Sequence, residues 1–257
     1  MKKIAIIGAG NMGGAIARGL AASEAIENYH IVVSNRSTEK LKQIQQDYPV
    51  IEITTDNQKA VEQADFIILA VKPWLIEEIA RELTYTEKQV VCSVAAGISL
   101  ETLSHSIETA QAIYRVMPNT AISKRESMTL ISSLYSSEQT DEELLALFNQ
   151  LGVAMLIPET QMAAATALTS CGIAFVMKYI QAAMQAGVEM GIRPKEAQLM
   201  AAQCVKGASC LLEERAAHPS VEIDKVTTPG GLTIKGINVL EHEGFSSAII
   251  KAIESAR

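Results

Sequence analysis

The residues with the clearest chemical implication stand at the start of the chain. Lys3-Ile4-Ala5-Ile6-Ile7 runs directly into Gly8-Ala9-Gly10-Asn11-Met12-Gly13, a G-x-G-x-x-G turn between an apolar run and an amphipathic stretch. In that context each glycine has a separate reason: Gly8 for a tight turn, Gly10 for close approach of a pyrophosphate, Gly13 for a helix lying hard against a strand. The backbone N–H groups at the helix start then face the phosphates. Six residues, Gly8, Ala9, Gly10, Asn11, Met12 and Gly13, are therefore expected to hold a dinucleotide. A glycine-rich turn of purely structural purpose is the weaker reading, because this turn opens a series of strand–helix units.

The second candidate strand ends in Ser34-Asn35-Arg36-Ser37. Proteins that prefer NAD place Asp or Glu there to bind the ribose hydroxyls. No acid is present, and Arg36 can pair with a 2′-phosphate. NADPH is accordingly favoured over NADH; the alternative is a solvated loop whose Arg36 only covers the adenine.

A second anion-binding pattern lies near the other end, in Val226-Thr227-Thr228-Pro229-Gly230-Gly231-Leu232-Thr233-Ile234. Pro229 and the two glycines predict a turn that exposes backbone N–H groups, with a helix starting at Leu232 or Thr233. Such a turn suits a small carboxylate. Thr228 and Thr233 add hydroxyls. An ordinary capped helix start explains the same residues, and the pattern alone does not decide between the two.

These groups need elements to hold them. Apolar runs at Lys3–Gly8, His30–Ser34, Phe66–Val71, Val90–Val94 and Ala112–Met117 read as strands, with Met128–Ser132 and Val153–Ile157 as further candidates. Between them Gly13–Ser23, Glu39–Tyr48, Leu75–Leu83, Leu100–Ile107 and Asp141–Leu151 show helical periodicity. Such alternation predicts a mainly parallel sheet with helices on both faces. It stops near Pro158, and the rest reads as helical: Thr160–Gly191 with a break near Gly172, Pro194–Arg215, a loop over His218–Gly231, and a last helical region Leu232–Ala256. The expected fold is thus α/β, a Rossmann-type doubly wound sheet over residues 1–158 followed by an all-α domain over residues 159–257. Long apolar helices rich in Ala163, Ala164, Ala182 and Ala186 suggest dimerisation through that domain.

Composition narrows the function classes. A net charge of -7 with no basic run argues against nucleic acid as the main partner. Thr160 to Met177 is uncharged and approaches span length, but its polar residues and abundant Ala favour a buried helix over a membrane segment. Glycines from Gly8 to Gly14 likewise break up the start as a signal peptide. Cys92, Cys171, Cys204 and Cys210 form no C-x-x-C pair and read as buried, reduced thiols of a cytoplasmic protein. The four histidines have no ligand spacing, so no metal site is expected. Trp74 is expected to pack at a helix start, Tyr114 in the core, and Met184, Met190 and Met200 as core filler.

Several separate segments, in order, resemble the pyrroline-5-carboxylate reductase family. They are Gly8–Gly14, Ala70-Val71-Lys72-Pro73, Ala95-Ala96-Gly97, Arg115-Val116-Met117-Pro118-Asn119-Thr120, Thr228-Pro229-Gly230-Gly231-Leu232-Thr233, and a late Gly244-Phe245. The resemblance implies reduction of the cyclic imine 1-pyrroline-5-carboxylate to L-proline with NADPH or NADH. It implies a helical domain intertwined with that of a second subunit, in a homodimer able to build larger rings. It also implies residue roles. Ser34, Asn35, Arg36 and Ser37 would hold the adenosine end, and Asn57 its ribose. Ala70, Val71, Lys72 and Pro73 would border the nicotinamide half, with Ala96, Gly97, Met117, Pro118 and Asn119 beside the nicotinamide. Thr228, Gly230, Gly231 and Thr233 would hold the substrate, with Thr233 near its ring nitrogen as the catalytic candidate. The match departs at three places: Thr169-Ser170-Cys171-Gly172-Ile173-Ala174-Phe175 stands where the family commonly has S-G-S-G-P-A-Y, Thr228 replaces the usual serine, and Ala121 follows Thr120 where a proline is common. A reductase of another cyclic imine, a reductase of hydroxy acids using Lys178, and a dinucleotide-binding protein without catalysis are the competing readings.

Overall fold

Short, fully apolar runs covered on both faces become the strands of a parallel sheet. In the computed structural model, which describes residues 1–107, 109–110, 112–215 and 218–257, β1 is Lys2–Ile7, β2 Tyr29–Ser34, β3 Glu52–Thr54, β4 Phe66–Leu69, β5 Val90–Ser93, β6 Ala112–Met117, β7 Ser127–Leu134 and β8 Gly152–Leu156. They form one sheet in the order β3-β2-β1-β4-β5-β6-β7-β8. The first six strands are parallel, β7 runs antiparallel to β6, and β8 is parallel to β7. The mainly parallel sheet expected from the sequence is therefore present, with one reversal at β7.

Helices fill the crossovers: α1 Asn11–Ala21, α2 Thr38–Asp47, α3 Asn57–Val61, α4 Ile76–Glu82, α5 Leu100–Ser104 and α6 Glu138–Asn149. The period-2 alternation along the strands divides the core in two. Ile4, Ile6, Phe66, Ile68, Cys92 and Tyr114 point to a layer closed by Ile16 and Leu20 of α1, Leu41 of α2 and Phe148 of α6. Ala5, Ile7, Ile67, Leu69, Val91 and Ile113 point to the opposite layer, closed by Val61 of α3, Ile76 of α4 and Leu103 of α5. Tyr114 is fully buried, as expected. Each fully buried Ile, Leu or Phe contributes about 1.5–3 kcal/mol.

The short β3 and α3 were absent from the sequence reading. The edge strand β3 has three residues and pairs with β2 alone. The five-residue α3 starts behind Asp56, whose carboxylate accepts the Lys59 N–H at 3.1 Å. Both are too short to show a period.

The chain divides into two compact units, Met1–Ser170 and Cys171–Arg257. In the first, a short 3-10 turn at Glu159–Gln161 leads into α7, Met162–Thr166, and a π-helical turn, Ala167–Cys171, adjoins α8, Gly172–Glu189. The break expected near Gly172 is not found: the helical segment runs on through that position, with a π turn just before it. Gly191 in the left-handed region (φ +92°) stops the helix, and Pro194 opens α9, Pro194–Arg215. Gly187 of α8 meets Ala197 of α9 closely, an added Cβ lying 3.0 Å from the Ala197 Cβ.

The expected loop over His218–Gly231 needs correction. It contains α10, Pro219–Val226, with Pro219 at the first helical position and His218 Nδ1 accepting the Ser220 N–H at 3.3 Å. The final helical region is two helices, α11 Leu232–His242 and α12 Phe245–Ser255, separated at Gly244 (φ +77°). Four burial expectations also fail. The helical segment over residues 160–177, expected to be buried, leaves Leu168, Val176 and Met177 exposed. Cys204 and Cys210 are exposed, as are Met190 and Met200, and Trp74 stands 75% exposed with the Lys72 ammonium 5.9 Å from its ring.

Gly152, at the start of β8, has φ +134°, and a Cβ there would lie 2.2 Å from the Ser127 carbonyl oxygen. Gly152→Ala is expected to cost about 3 kcal/mol, because strain and a backbone clash coincide. Chemical unfolding of the purified variant reads this directly; an unchanged midpoint would show that the β7–β8 junction tolerates a side chain.

Candidate functional site

The glycine turn leaves β1 at its carboxyl end. Gly8 sits at φ +109°, its N–H donating to the Ser34 carbonyl at 2.7 Å. A Cβ on Gly8 would lie 2.6 Å from the Ala70 carbonyl oxygen, and one on Gly13 would lie 2.0 Å from the Gly8 carbonyl oxygen. A Cβ on Gly10 would meet nothing within 4 Å. Gly8 and Gly13 are thus required by the fold, whereas Gly10 faces free space in front of the helix. Gly10 is the N-cap of α1 and provides no side-chain cap, and the first turn of α1 carries no acidic residue. Its partial positive charge is left for an external anion.

The residues expected at the adenosine end stand at the end of β2 and on α3. Asn35 spans two loops: its Oδ1 accepts the Ala9 N–H at 3.1 Å, and its Nδ2 donates to the Ser37 carbonyl at 3.0 Å. The buried Ser34 hydroxyl donates to Asn57 Oδ1 at 2.6 Å. Asn57 therefore keeps its Nδ2 as a free donor. Arg36 and Ser37 are exposed, and no hydrogen bond or ion pair among the described residues engages the Arg36 guanidinium. These groups fit a 2′-phosphorylated ribose better than a free diol.

The remaining predicted residues leave the same edge of the sheet. Ala70, buried, follows β4, and its N–H donates to the Ile7 carbonyl at 2.8 Å. Val71 packs on the core, and exposed Lys72 and half-buried Pro73 open a short turn before α4. Ala96 and Gly97 (φ +79°) are exposed beyond β5. Met117 ends β6, followed by buried Pro118 and Asn119; Asn119 donates its N–H to Ser127 Oγ at 3.1 Å and its Oδ1 accepts the Ala121 N–H at 3.0 Å.

Other residues here were missed by the sequence reading. A pocket of ≈ 430 Å³ beside the glycine turn is lined in part by the expected Asn11 and by Arg18, Lys40 and Ser123, which the sequence reading did not name for the site. Arg18 pairs with Asp47 at 2.8 Å, and that hydrogen bond holds the Asp47 carboxyl below its ordinary pKa. Arg18 lies one helical turn beyond Gly14, so helical spacing from the glycine turn could have found it. The Ser170 hydroxyl, on the π turn, donates to the Pro118 carbonyl at 3.4 Å. That contact spans 52 residues and has no local signal. Cys92 is fully buried, which raises its thiol pKa and leaves it inert.

The second glycine turn lies in the other unit. Gly230 adopts φ +73°, the Gly231 N–H donates to the Thr228 carbonyl at 3.0 Å, and Gly231 is the N-cap of α11 without a side-chain cap. Thr228 and Thr233 are exposed. Lys178, on α8, is also exposed and its ammonium donates to Gln181 Oε1 at 3.0 Å.

A sheet ordered 3-2-1-4-5-6, with a glycine turn leading from the first strand into a helix, defines a Rossmann-type dinucleotide-binding protein. Residues 3–97 match the family described as NADP oxidoreductase coenzyme F420-dependent, and residues 159–257 match the one described as pyrroline-5-carboxylate reductase dimerisation. Pyrroline-5-carboxylate reductase 2 of Dictyostelium discoideum is 38% identical, covering 98% of this chain and 90% of its own length. Pyrroline-5-carboxylate reductase 1 of the same organism is also 38% identical over 97% of this chain, which spans about half (48%) of that longer protein. The crystal structure of Plasmodium falciparum pyrroline carboxylate reductase with NADP bound superposes with a TM-score of 0.84 at 26% identity, covering 99% of this chain and 95% of that one. The chain belongs to the pyrroline-5-carboxylate reductase family.

The different surroundings of two glycines give a test. Gly10→Ala is expected to leave thermal stability unchanged and to weaken NADPH binding by about tenfold or more, because the new methyl occupies the pyrophosphate's space. Gly13→Ala is expected to lower the melting temperature as well. Calorimetry and NADPH titration of both variants separate the effects; full NADPH affinity in Gly10→Ala would remove the phosphate role of the turn.

Proposed function

We propose that the protein reduces 1-pyrroline-5-carboxylate to L-proline, with NADPH as the preferred cofactor and NADH as a substitute. One observation carries the reading: a helix N-terminus, uncapped by any side chain, behind a glycine turn occurs twice, at Gly10 and at Gly231, in a chain of this family. The first suits a pyrophosphate and the second a small carboxylate.

Gly8 to Gly13 hold the pyrophosphate, with Gly10 as the point of closest approach. Ser34 to Ser37 and Asn57 hold the adenosine end, Arg36 pairing with the 2′-phosphate. Ala70, Val71, Lys72, Pro73, Ala96, Gly97, Met117, Pro118 and Asn119 shape the nicotinamide half. When bound, the reduced nicotinamide supplies the hydride that the imine carbon accepts as its nitrogen takes up a proton. The Gly230 N–H and the Thr228 hydroxyl hold the substrate carboxylate against the backbone of Gly231, whose own N–H is taken by the Thr228 carbonyl, and the Thr233 hydroxyl hydrogen-bonds the ring nitrogen. The substrate arrives as the iminium or takes its proton from solvent, so no acidic side chain is required, and positioning supplies most of the rate gain.

The functional division falls at residue 158, with residues 159–257 as the substrate-binding and dimerisation half. Exposed apolar residues on its helices, among them Val176, Met177, Leu199, Val239 and Ile250, support a dimer that buries them. Glu159–Glu189 is long and apolar enough by composition to cross a membrane. The family match over residues 159–257 supports a protein partner as its cover instead. Assembly of dimers into rings and a cytoplasmic setting complete the reading.

Purified protein mixed with NADPH and pyrroline-5-carboxylate should consume nicotinamide absorbance and produce an equal amount of proline; binding of NADPH without turnover would leave only a dinucleotide-binding protein. Thr233→Ala is expected to lower kcat by about tenfold to a hundredfold with NADPH affinity unchanged. Arg36→Ala is expected to raise KM for NADPH by about tenfold and leave that for NADH unaltered, since only the former offers a phosphate to the guanidinium. Equal KM values for the two cofactors in the unaltered enzyme would refute the role of Arg36.

A further inference from the structure

β6 presents a cation to a buried face of the sheet. Along this strand Ala112, Tyr114 and Val116 belong to one core layer, whereas Ile113 and Met117 face the other side. Arg115 lies between these last two, its side chain only 15% exposed. Its Nη1 donates to Glu159 Oε1 at 3.1 Å, and its Nε is buried with no hydrogen-bond partner among the described residues. The same Glu159 oxygen accepts the Leu100 N–H, in the first turn of α5, at 2.8 Å. A half-satisfied guanidinium on a sheet face is a poor choice for stability alone, since an apolar side chain of equal volume loses nothing there.

The arrangement has a mechanical meaning. Ser93 of β5 is the register partner of Arg115 of β6, so the two strands leave the sheet side by side. Residues 94–99, carrying Ala96 and Gly97, follow the first, and Pro118 and Asn119 follow the second. One carboxylate oxygen ties the far end of the β5 loop, at Leu100, to the strand that feeds the β6 loop. Further along the same segment, the Ser170 hydroxyl reaches the Pro118 carbonyl at 3.4 Å. Between these tethers Met162 is fully buried in a small apolar cluster with Met117 and Leu130. Residues 159–170 therefore bridge both loops.

We propose that Arg115 and Glu159 are positioning residues: their ion pair fixes the spacing of the β5 and β6 loops, and hence the seat of the nicotinamide ring, without touching the cofactor. The proposal rests on the cofactor placement given above. The pair governs turnover and not capture of the dinucleotide, because pyrophosphate and adenosine are held on β1 and β2, away from these loops.

The test compares Arg115→Met, Glu159→Gln, the double variant and Arg115→Lys. Glu159→Gln keeps an acceptor for the Leu100 N–H and removes only the charge. Arg115→Met keeps the length of the stem. In both, kcat is expected to fall by about tenfold to a hundredfold while the dissociation constant for NADPH stays within about twofold, the pattern of a misplaced reacting group. The double variant is expected to match the single ones, because either substitution already breaks the one interaction. Arg115→Lys, which keeps the charge, is expected to recover part of the lost kcat. Fluorescence of bound NADPH supplies a readout that needs no substrate: its emission should move toward that of the free cofactor in Arg115→Met and Glu159→Gln. Unchanged emission with unchanged kcat in folded variants overturns the proposal. So does a loss of NADPH affinity as large as the loss of kcat. Should the unaltered enzyme bind NADPH and leave the imine unreduced, the functional reading fails and the fluorescence comparison still decides the role of the pair.

Discussion

The first unit is organised by a contact between backbones. The Gly8 carbonyl oxygen stands 2.0 Å from where a Cβ on residue 13 would be, and the Ala70 carbonyl stands 2.6 Å from one on residue 8. No side chain can be interposed, so α1 docks directly on the ends of β1 and β4. That docking sets the direction of the helix and thereby aims its unpaired N–H groups beyond the carboxyl edge of the sheet. Adjacent loops are then fitted to the turn: Ser34 receives the Gly8 N–H, and Asn35 takes the Ala9 N–H. Two N–H groups of the turn, those of Gly8 and Ala9, are thus already satisfied within the protein, and under the proposed function the anion is held by those that follow them.

What could be read from the sequence follows from how local each constraint is. β4 and β5 were legible because every residue of each is buried, which leaves an unbroken apolar run. The glycine turn was legible because steric exclusion at one atom admits one residue type. β3 and α3 were not, since three and five residues carry no periodicity and their places are set by β2 and by the Asp56 cap. The miss at α10 is of another kind: Pro219 gives the same helix-start signal that was used at Pro194, but glycines and prolines further along made the segment resemble one loop. Asn57 was placed near the ribose by resemblance alone. The reason it can serve there, a buried Ser34 hydroxyl occupying its carbonyl oxygen, is visible only in three dimensions.

The second unit fails the usual assumption that apolar means internal. Met190 and Met200 read from the sequence as core residues, and they, with the apolar Val176 and Leu199, are exposed within a single chain. Periodicity identifies a face that must be covered and is silent about which molecule covers it. Under the dimer proposed here, the reading of those methionines as filler would be right for the assembly and wrong for the chain. The same reasoning accounts for Glu159–Glu189 passing a membrane criterion, since a helix that buries its surface against a partner has the composition of one that buries it in lipid.

Under the proposed function, the two glycine turns adapt one device to two anions. At α1 the open space in front of Gly10, free of any atom within 4 Å, suits an extended pyrophosphate that needs room along the backbone. At α11 the space is partly filled: a Cβ on Gly231 would lie 2.7 Å from the Thr228 hydroxyl oxygen. That hydroxyl narrows the turn and adds a donor in reach of the same anion. A compact carboxylate gains from the extra donor, whereas a diphosphate would meet it as an obstruction. Helix N-termini alone do not discriminate between such ligands, because each offers the same dipole and the same orphan N–H groups. Selectivity must come from what surrounds them, and here the difference lies in a threonine that the sequence pattern places three residues before Gly231.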